Sequence, residues 1–278
     1  MPFKTILAVV GVDQGDRDIE AAIGVCREIG AHLSVLVLAL ASPPPVGAYA
    51  AVVSDTWMEE RDADMKRLAK RVDAIEVLVV KAGIPADVEC EYAEMAWTDA
   101  MAGRRGRYAD LTLIGPDLIA DGDLKHYILN GALFESGRPL LLAPSGHKAT
   151  LRPKRILLAW DSRIEASRAA HEAVELIAAA DEVRITLVDP EAGDLAQGDE
   201  PGADVAAWLV RHGAKVSVDR LASGGRSVVA VLRQHAVDCG ADLIVMGGYG
   251  HSRMRERIFG GVTKSMVDEP PMPVFMAR

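Results

Sequence analysis

The residues best suited to chemistry stand together between Gly247 and Ser265, in the stretch GGYGHSRMRERIFGGVTKS. Glycines at 247, 248, 250, 260 and 261 allow the backbone to turn with positive φ and to approach a ligand closely. The stretch follows the apolar run ADLIVM and leads into GVTKSMVDE, which reads as a helix start. Amides left unpaired at such a start point outward and can donate to an anion. Arg253, Arg255, Arg257 and Lys264 concentrate positive charge there, and Thr263 and Ser265 add hydroxyls. Phosphate is the guest that suits this combination. Glycine-rich turns from strand to helix also form with no ligand, and neither the Walker pattern nor GxGxxG occurs, so the loop alone leaves both readings open.

The bulk numbers narrow the field. The chain has 278 residues, half of them apolar, a net charge of −9 and a pI near 5.3. This is a globular composition with no general affinity for nucleic acid or anionic membranes, which need a basic field. The N-terminal apolar run at 6–12 is closed by Asp13 and is too short to span a membrane. It reads as a buried strand in a cytoplasmic protein. Cys26, Cys90 and Cys239 are odd in number and far apart, and read as buried free thiols.

The elements that must position the loop appear when the halves are aligned. KTILAVVGVDQGDRDIEAAIGVCREIGAHLSVLVL (4–38) parallels KRILLAWDSRIEASRAAHEAVELIAAADEVRITLV (154–188), each a strand, an amphipathic helix and a second strand. YADLTLIG and GADLIVMG are matching later strands, and GRPLLLAPSG and PPMPVFMAR are matching terminal ones. Apolar strands alternating with amphipathic helices imply α/β domains, each with a parallel sheet covered on both faces. The spacing predicts two such domains, 1–148 and 149–278, packed through their terminal strands. The first also carries a proline-rich stretch, read as a stiff surface loop, and a charged helix, MEERDADMKRLAKRVDAIEVL.

Gly247, two residues, Gly250, nine residues and Gly260 resemble the G-x2-G-x9-G-(S/T) pattern of the universal stress protein family. RILLAWDSRIEASRAAHEAVELI is similar to that family's opening strand and helix, and the two copies make the chain resemble a tandem member. The resemblance implies two doubly wound domains of the adenine nucleotide alpha hydrolase-like kind, each with a mostly parallel five-stranded sheet flanked by helices. It further implies that ATP, with Mg2+ alongside its phosphates, binds the second domain. Position by position, adenine and ribose fall to Asp161 and Val188, with Leu187 as the alternative to Val188. The phosphates fall to Gly247, Gly250, Gly260, Gly261 and Val262. Gly261 departs from the family's Ser or Thr, and Thr263 is the replacement hydroxyl. A homodimer is implied as well.

The first copy departs further. Gly11 stands at the position of Asp161, Leu118 stands at that of Gly250, and Asp117, Asp121 and Asp123 bring negative charge to the loop. Carboxylates repel phosphates, so no nucleotide is expected in this half.

Other candidates carry less. The seven histidines show no zinc spacing, so no metal site is expected. The carboxylates of DQGDRD (13–18) read as capping the first helix, and Ser227 in SGGRS reads as the cap of a later one. Trp160 reads as core. No nucleophile with a base is visible, so weak ATPase activity is the most that is expected. The leading expectation is an adenine-nucleotide-binding stress-response protein whose ligand biases its conformation or its binding to a protein partner. The alternative is a nucleotide-independent dimerisation and interaction module.

Overall fold

The computed structural model of the protein describes residues 3–42, 55–122, 124–193, 199–249 and 261–278. Contacts divide the chain into two compact units, Phe3–Ser136 and Gly137–Arg278. The 144–154 segment, expected to separate two domains, lies within the second unit. The proline run at 43–45 lies outside the described residues, as do Gly250, Gly260, His251, Arg253, Arg255 and Arg257.

The first unit runs β1 (Thr5–Gly11), α1 (Arg17–Ile29), β2 (His32–Ala41), α2 (Asp55–Ala82), β3 (Ala86–Glu94), α3 (Thr98–Gly106), β4 (Leu111–Ile114), α4 (Pro116–Ala120) and α5 (Leu124–Asn130). Its strands are parallel in the order β3-β2-β1-β4. From Ile6 to Gly11 every residue of β1 is buried, which explains the unbroken apolar run: a central parallel strand meets helices on both faces. The α2 helix buries only Leu68, Ile75 and Val79, in keeping with its charged sequence.

The second unit runs β5 (Leu140–Leu142), β6 (Arg155–Ala159), α6 (Ile164–Glu172), α7 (Val174–Ala179), β7 (Glu182–Val188), α8 (Ala203–Arg211), β8 (Val216–Leu221), α9 (Val228–Asp238), β9 (Leu243–Gly247), α10 (Gly261–Asp268) and β10 (Val274–Ala277). Strands β8-β7-β6-β9-β10 are parallel in that order. The short β5 strand, which the repeat places at the end of the first half, pairs antiparallel with β10, with Leu141 opposite Phe275. The apolar edge of the closing run PVFMAR is thereby paired on both sides. The single helix expected after β6 is broken at Ala173 into α6 and α7.

The repeated ADL triplet has a structural reason. Asp110 Oδ2 accepts the amides of Lys4 and Thr5 at 2.7 and 3.0 Å, and Asp242 Oδ2 accepts those of Lys154 and Arg155 at 3.0 and 2.9 Å. A carboxylate just before β4 thus fixes the start of β1, and one just before β9 fixes the start of β6.

Two expectations are corrected. Asp16 at the head of α1 makes no side-chain capping hydrogen bond. Asp13 instead pairs with Arg67 at 2.9 Å and Asp16 with Arg71 at 2.6 Å, because long basic side chains on α2 reach the loop, while Asp18 turns inward. The thiols are not all buried. Cys26 is buried, and burial pushes its thiol up to about 12, but Cys90 is exposed on β3 and Cys239 is half-buried. Among the described residues no helix is long and apolar enough to cross a membrane.

Candidate functional site

The strand order of the second unit reverses between β6 and β9, and in open parallel sheets ligands bind beyond the carboxyl ends of the strands at such a reversal. An open cavity of about 400 Å³ lies there. Its floor is Ala159 of β6, Thr186 and Val188 of β7, and Met246 and Gly247 of β9. Gly261, Val262 and Thr263 at the start of α10 border it, and Val228 and Leu232 of α9 close another side. Roughly 300–1,000 Å³ is the usual range for a small-molecule site.

Six of the eight residues expected at the site therefore meet in one cavity: Asp161, Val188, Gly247, Gly261, Val262 and Thr263. The other two, Gly250 and Gly260, lie outside the described residues. Leu187, the alternative to Val188, is buried and does not line the cavity. Lys264 and Ser265 are not lining residues either.

Each of these residues has a local reason for its place. Asp161 is exposed beyond β6, where its Oδ1 accepts the Arg163 amide at 3.1 Å and its Oδ2 lies 3.7 Å from Arg163 Nε. The Thr263 hydroxyl oxygen accepts the Tyr249 amide at 3.2 Å, so this buried hydroxyl ties the glycine loop to α10 as well as facing the cavity. Gly247 is required by packing. A Cβ there would lie 2.6 Å from the Ala166 nitrogen and from the Glu165 carbonyl carbon in the first turn of α6. A Cβ on Gly261, by contrast, meets none of the described residues within 4 Å.

The backbone around the cavity is strained. Among the described residues, those other than glycine with positive φ are Ser162 (63°), Asp189 (47°) and Tyr249 (59°). They follow the carboxyl ends of β6, β7 and β9, whose tips form the cavity. Such conformations cost on the order of 1–3 kcal/mol each and tend to gather where a ligand is held. Asp189 also accepts the Ser223 amide at 2.9 Å, and the Ser223 hydroxyl and amide hold its carboxyl below the usual range. This contact ties the end of β7 to the loop before α9.

Several lining residues were not expected. Trp160, read as core, is half-buried on the cavity wall, with its indole N–H donated to Ser162 Oγ at 3.1 Å. The strand stops at Ala159, so Trp160 belongs to the turn. Tyr249 lines the cavity and is nearly buried, which raises its phenol above the ordinary range and keeps it protonated. Buried Thr186 carried no motif that could have revealed it. Glu165 and Arg163 add one charge of each sign.

Ser227 caps α9 as expected, its hydroxyl accepting the Ala230 amide at 3.3 Å. Because α9 presents Val228 and Leu232 to the cavity, Ser227→Ala should cost about 1 kcal/mol in urea denaturation, and Ser227→Asp should recover most of it.

Residues 153–278 match the universal stress protein family. The whole chain shares its fold with a universal stress protein from Archaeoglobus fulgidus DSM 4304, at a TM-score of 0.68 and 18% identity over 98% of this chain and 96% of that one. It is also similar to a putative universal stress protein from Pseudomonas aeruginosa UCBPP-PA14, at a TM-score of 0.57 and 12% identity over 99% and 93%. Among curated proteins no sequence matches. The repeat, the parallel sheet and the family match agree: residues 153–278 are a universal stress protein domain, and the whole chain shares the fold of solved universal stress proteins.

Proposed function

We propose that the second unit binds ATP or a related adenine nucleotide, with magnesium accompanying the phosphates, and that the occupied state biases the chain's conformation or its contact with a partner in a stress response. The observation that carries this reading is the convergence of Asp161, Val188, Gly247, Gly261, Val262 and Thr263 on one cavity at the sheet's reversal point. The apolar floor of Ala159, Val188 and Met246 suits a flat base, and Trp160 offers a ring beside it. Asp161 suits hydrogen bonds from ribose or adenine. Backbone amides and the Thr263 hydroxyl suit phosphate oxygens, as the start of a helix does generally.

Intrinsic fluorescence tests the reading. Titration of the full chain with ATP and magnesium should give a saturable change in tryptophan emission, and Trp160→Phe should abolish the change while retaining binding. A flat titration together with no nucleotide released on denaturation would favour the nucleotide-independent interaction module.

Gly261 offers a gain-of-affinity test. It begins α10, is exposed, and none of the described residues lies within 4 Å of where a Cβ would go. Gly261→Ser would supply the hydroxyl that the family resemblance expects there. The variant should bind ATP about tenfold more tightly, the equivalent of one good hydrogen bond to a charged group at ~1.4 kcal/mol, with no loss of stability. Unchanged affinity would show that no phosphate oxygen comes within reach of that position.

A further inference from the structure

We propose that the first unit is a permanently occupied copy of the same crevice, in which Gln14 and the Asp18 carboxylate stand where the second unit holds a bound molecule, so that the chain takes one ligand and not two. The inference rests on the reading of the second unit given above.

At the carboxyl end of β1, Gly11 occupies the position of Asp161. The Gln14 side chain folds over it: Oε1 accepts the Gly11 amide at 2.8 Å, and Nε2 donates to Asp121 Oδ2 at 3.1 Å. Leu124 packs on the same spot, its Cδ2 lying 3.2 Å from where a Gly11 Cβ would be. Beyond β4 the counterpart of the glycine loop is Gly115-Pro116-Asp117-Leu118. There the buried Asp18 carboxylate accepts the Asp117 amide at 2.6 Å on one oxygen and the Leu118 amide at 2.9 Å on the other. Asp18 takes two amides of the turn in the manner of an anion.

The second unit solves the same problem differently. Gly115 approaches Asp18, whose Cα would lie 2.6 Å from a Cβ on that glycine; Gly247 approaches Glu165 and Ala166. Ala166 has only a methyl group and lines the cavity. The Tyr249 amide, counterpart of Asp117's, goes to Thr263 Oγ1 instead. One unit fills the space with a carboxylate and the other leaves it open. Two acidic residues of the first loop are engaged as well, Asp117 with Arg17 at 2.8 Å and Asp121 with Gln14 and the Leu124 amide, while Asp123 lies outside the described residues. The absence of ligand binding in this half thus follows from occupation as well as repulsion.

Chemical rescue tests the inference without ATP. Asp18→Ala should lower the thermal midpoint, and 0.1 M sodium formate at pH 7.5 should raise the variant's midpoint by about 3 °C or more relative to equal sodium chloride while leaving the wild type unmoved. Rescue supports the internal anion, and its absence in a folded variant overturns it. Should Asp18→Ala fail to fold, the wild type decides by NMR. Burial lifts the Asp18 carboxyl to about 6, against the two amides and Arg17 that lower it, with Asp117 adding to the rise. The Asp117 and Leu118 amide protons should therefore shift upfield together as pH falls through that midpoint and the acceptor loses its charge. No shared movement overturns the proposal. With ATP and magnesium, calorimetry should count one site per chain, and two sites would overturn it. If ATP fails to bind at all, the reading of the second unit fails, while the formate and amide results still decide this one.

Discussion

Exchanging Gly247 for alanine will destabilise the second unit by about 3 kcal/mol. The added Cβ would sit 2.6 Å from two backbone atoms of α6, and backbone in the first turn of a packed helix cannot rotate aside as a flexible side chain can. Relief requires α6 to move, and α6 follows the Asp161 turn and carries Ala166, so the cavity is deformed with it. Urea denaturation measures the cost, and nucleotide affinity should fall in the same variant. The control is Gly261→Ala, whose Cβ meets none of the described residues and whose stability should stay within about 0.5 kcal/mol of the parent. A Gly247→Ala protein as stable as that control would refute the close approach. The two glycines look alike in the sequence and differ entirely in this test.

The second large effect is on binding. Asp161→Ala should weaken ATP binding by about 10- to 100-fold, the equivalent of about 1.5–3 kcal/mol for hydrogen bonds to a charged group. Stability should hardly change, because the carboxylate is exposed and, among the described residues, its hydrogen bond and ion pair are both with Arg163, two residues on. Asp161→Asn keeps an acceptor oxygen and should fall between the two. Tryptophan emission and urea denaturation separate affinity from stability. A variant that loses stability without losing affinity would make Asp161 a structural residue.

The sequence made the fold legible because both copies repeat the same burial problem. Apolar strands such as 6–11 and 156–158 are buried on both faces, and the ADL triplets fasten equivalent strands. Asp161, Val188 and Gly261 could be placed from the sequence because they stand at strand and helix ends, where position in the repeat determines position in the crevice. Trp160 could not, since an aromatic residue after five strand residues reads as more strand until the turn at Ser162 is seen. Thr186 was hidden by an apolar strand, and Val228 and Leu232 by a helix with no motif. Asp18 was hidden by distance, since the amides that it accepts are 99 and 100 residues away. Local capping was the natural reading of its sequence neighbourhood and the wrong one.

The most direct test of the central claim is calorimetric titration of the purified full chain with ATP and magnesium. Saturable binding at one site per chain, weakened at least tenfold by Asp161→Ala, is the predicted result. Absence of binding heat, with no nucleotide in a denatured extract of the fresh protein, would contradict it.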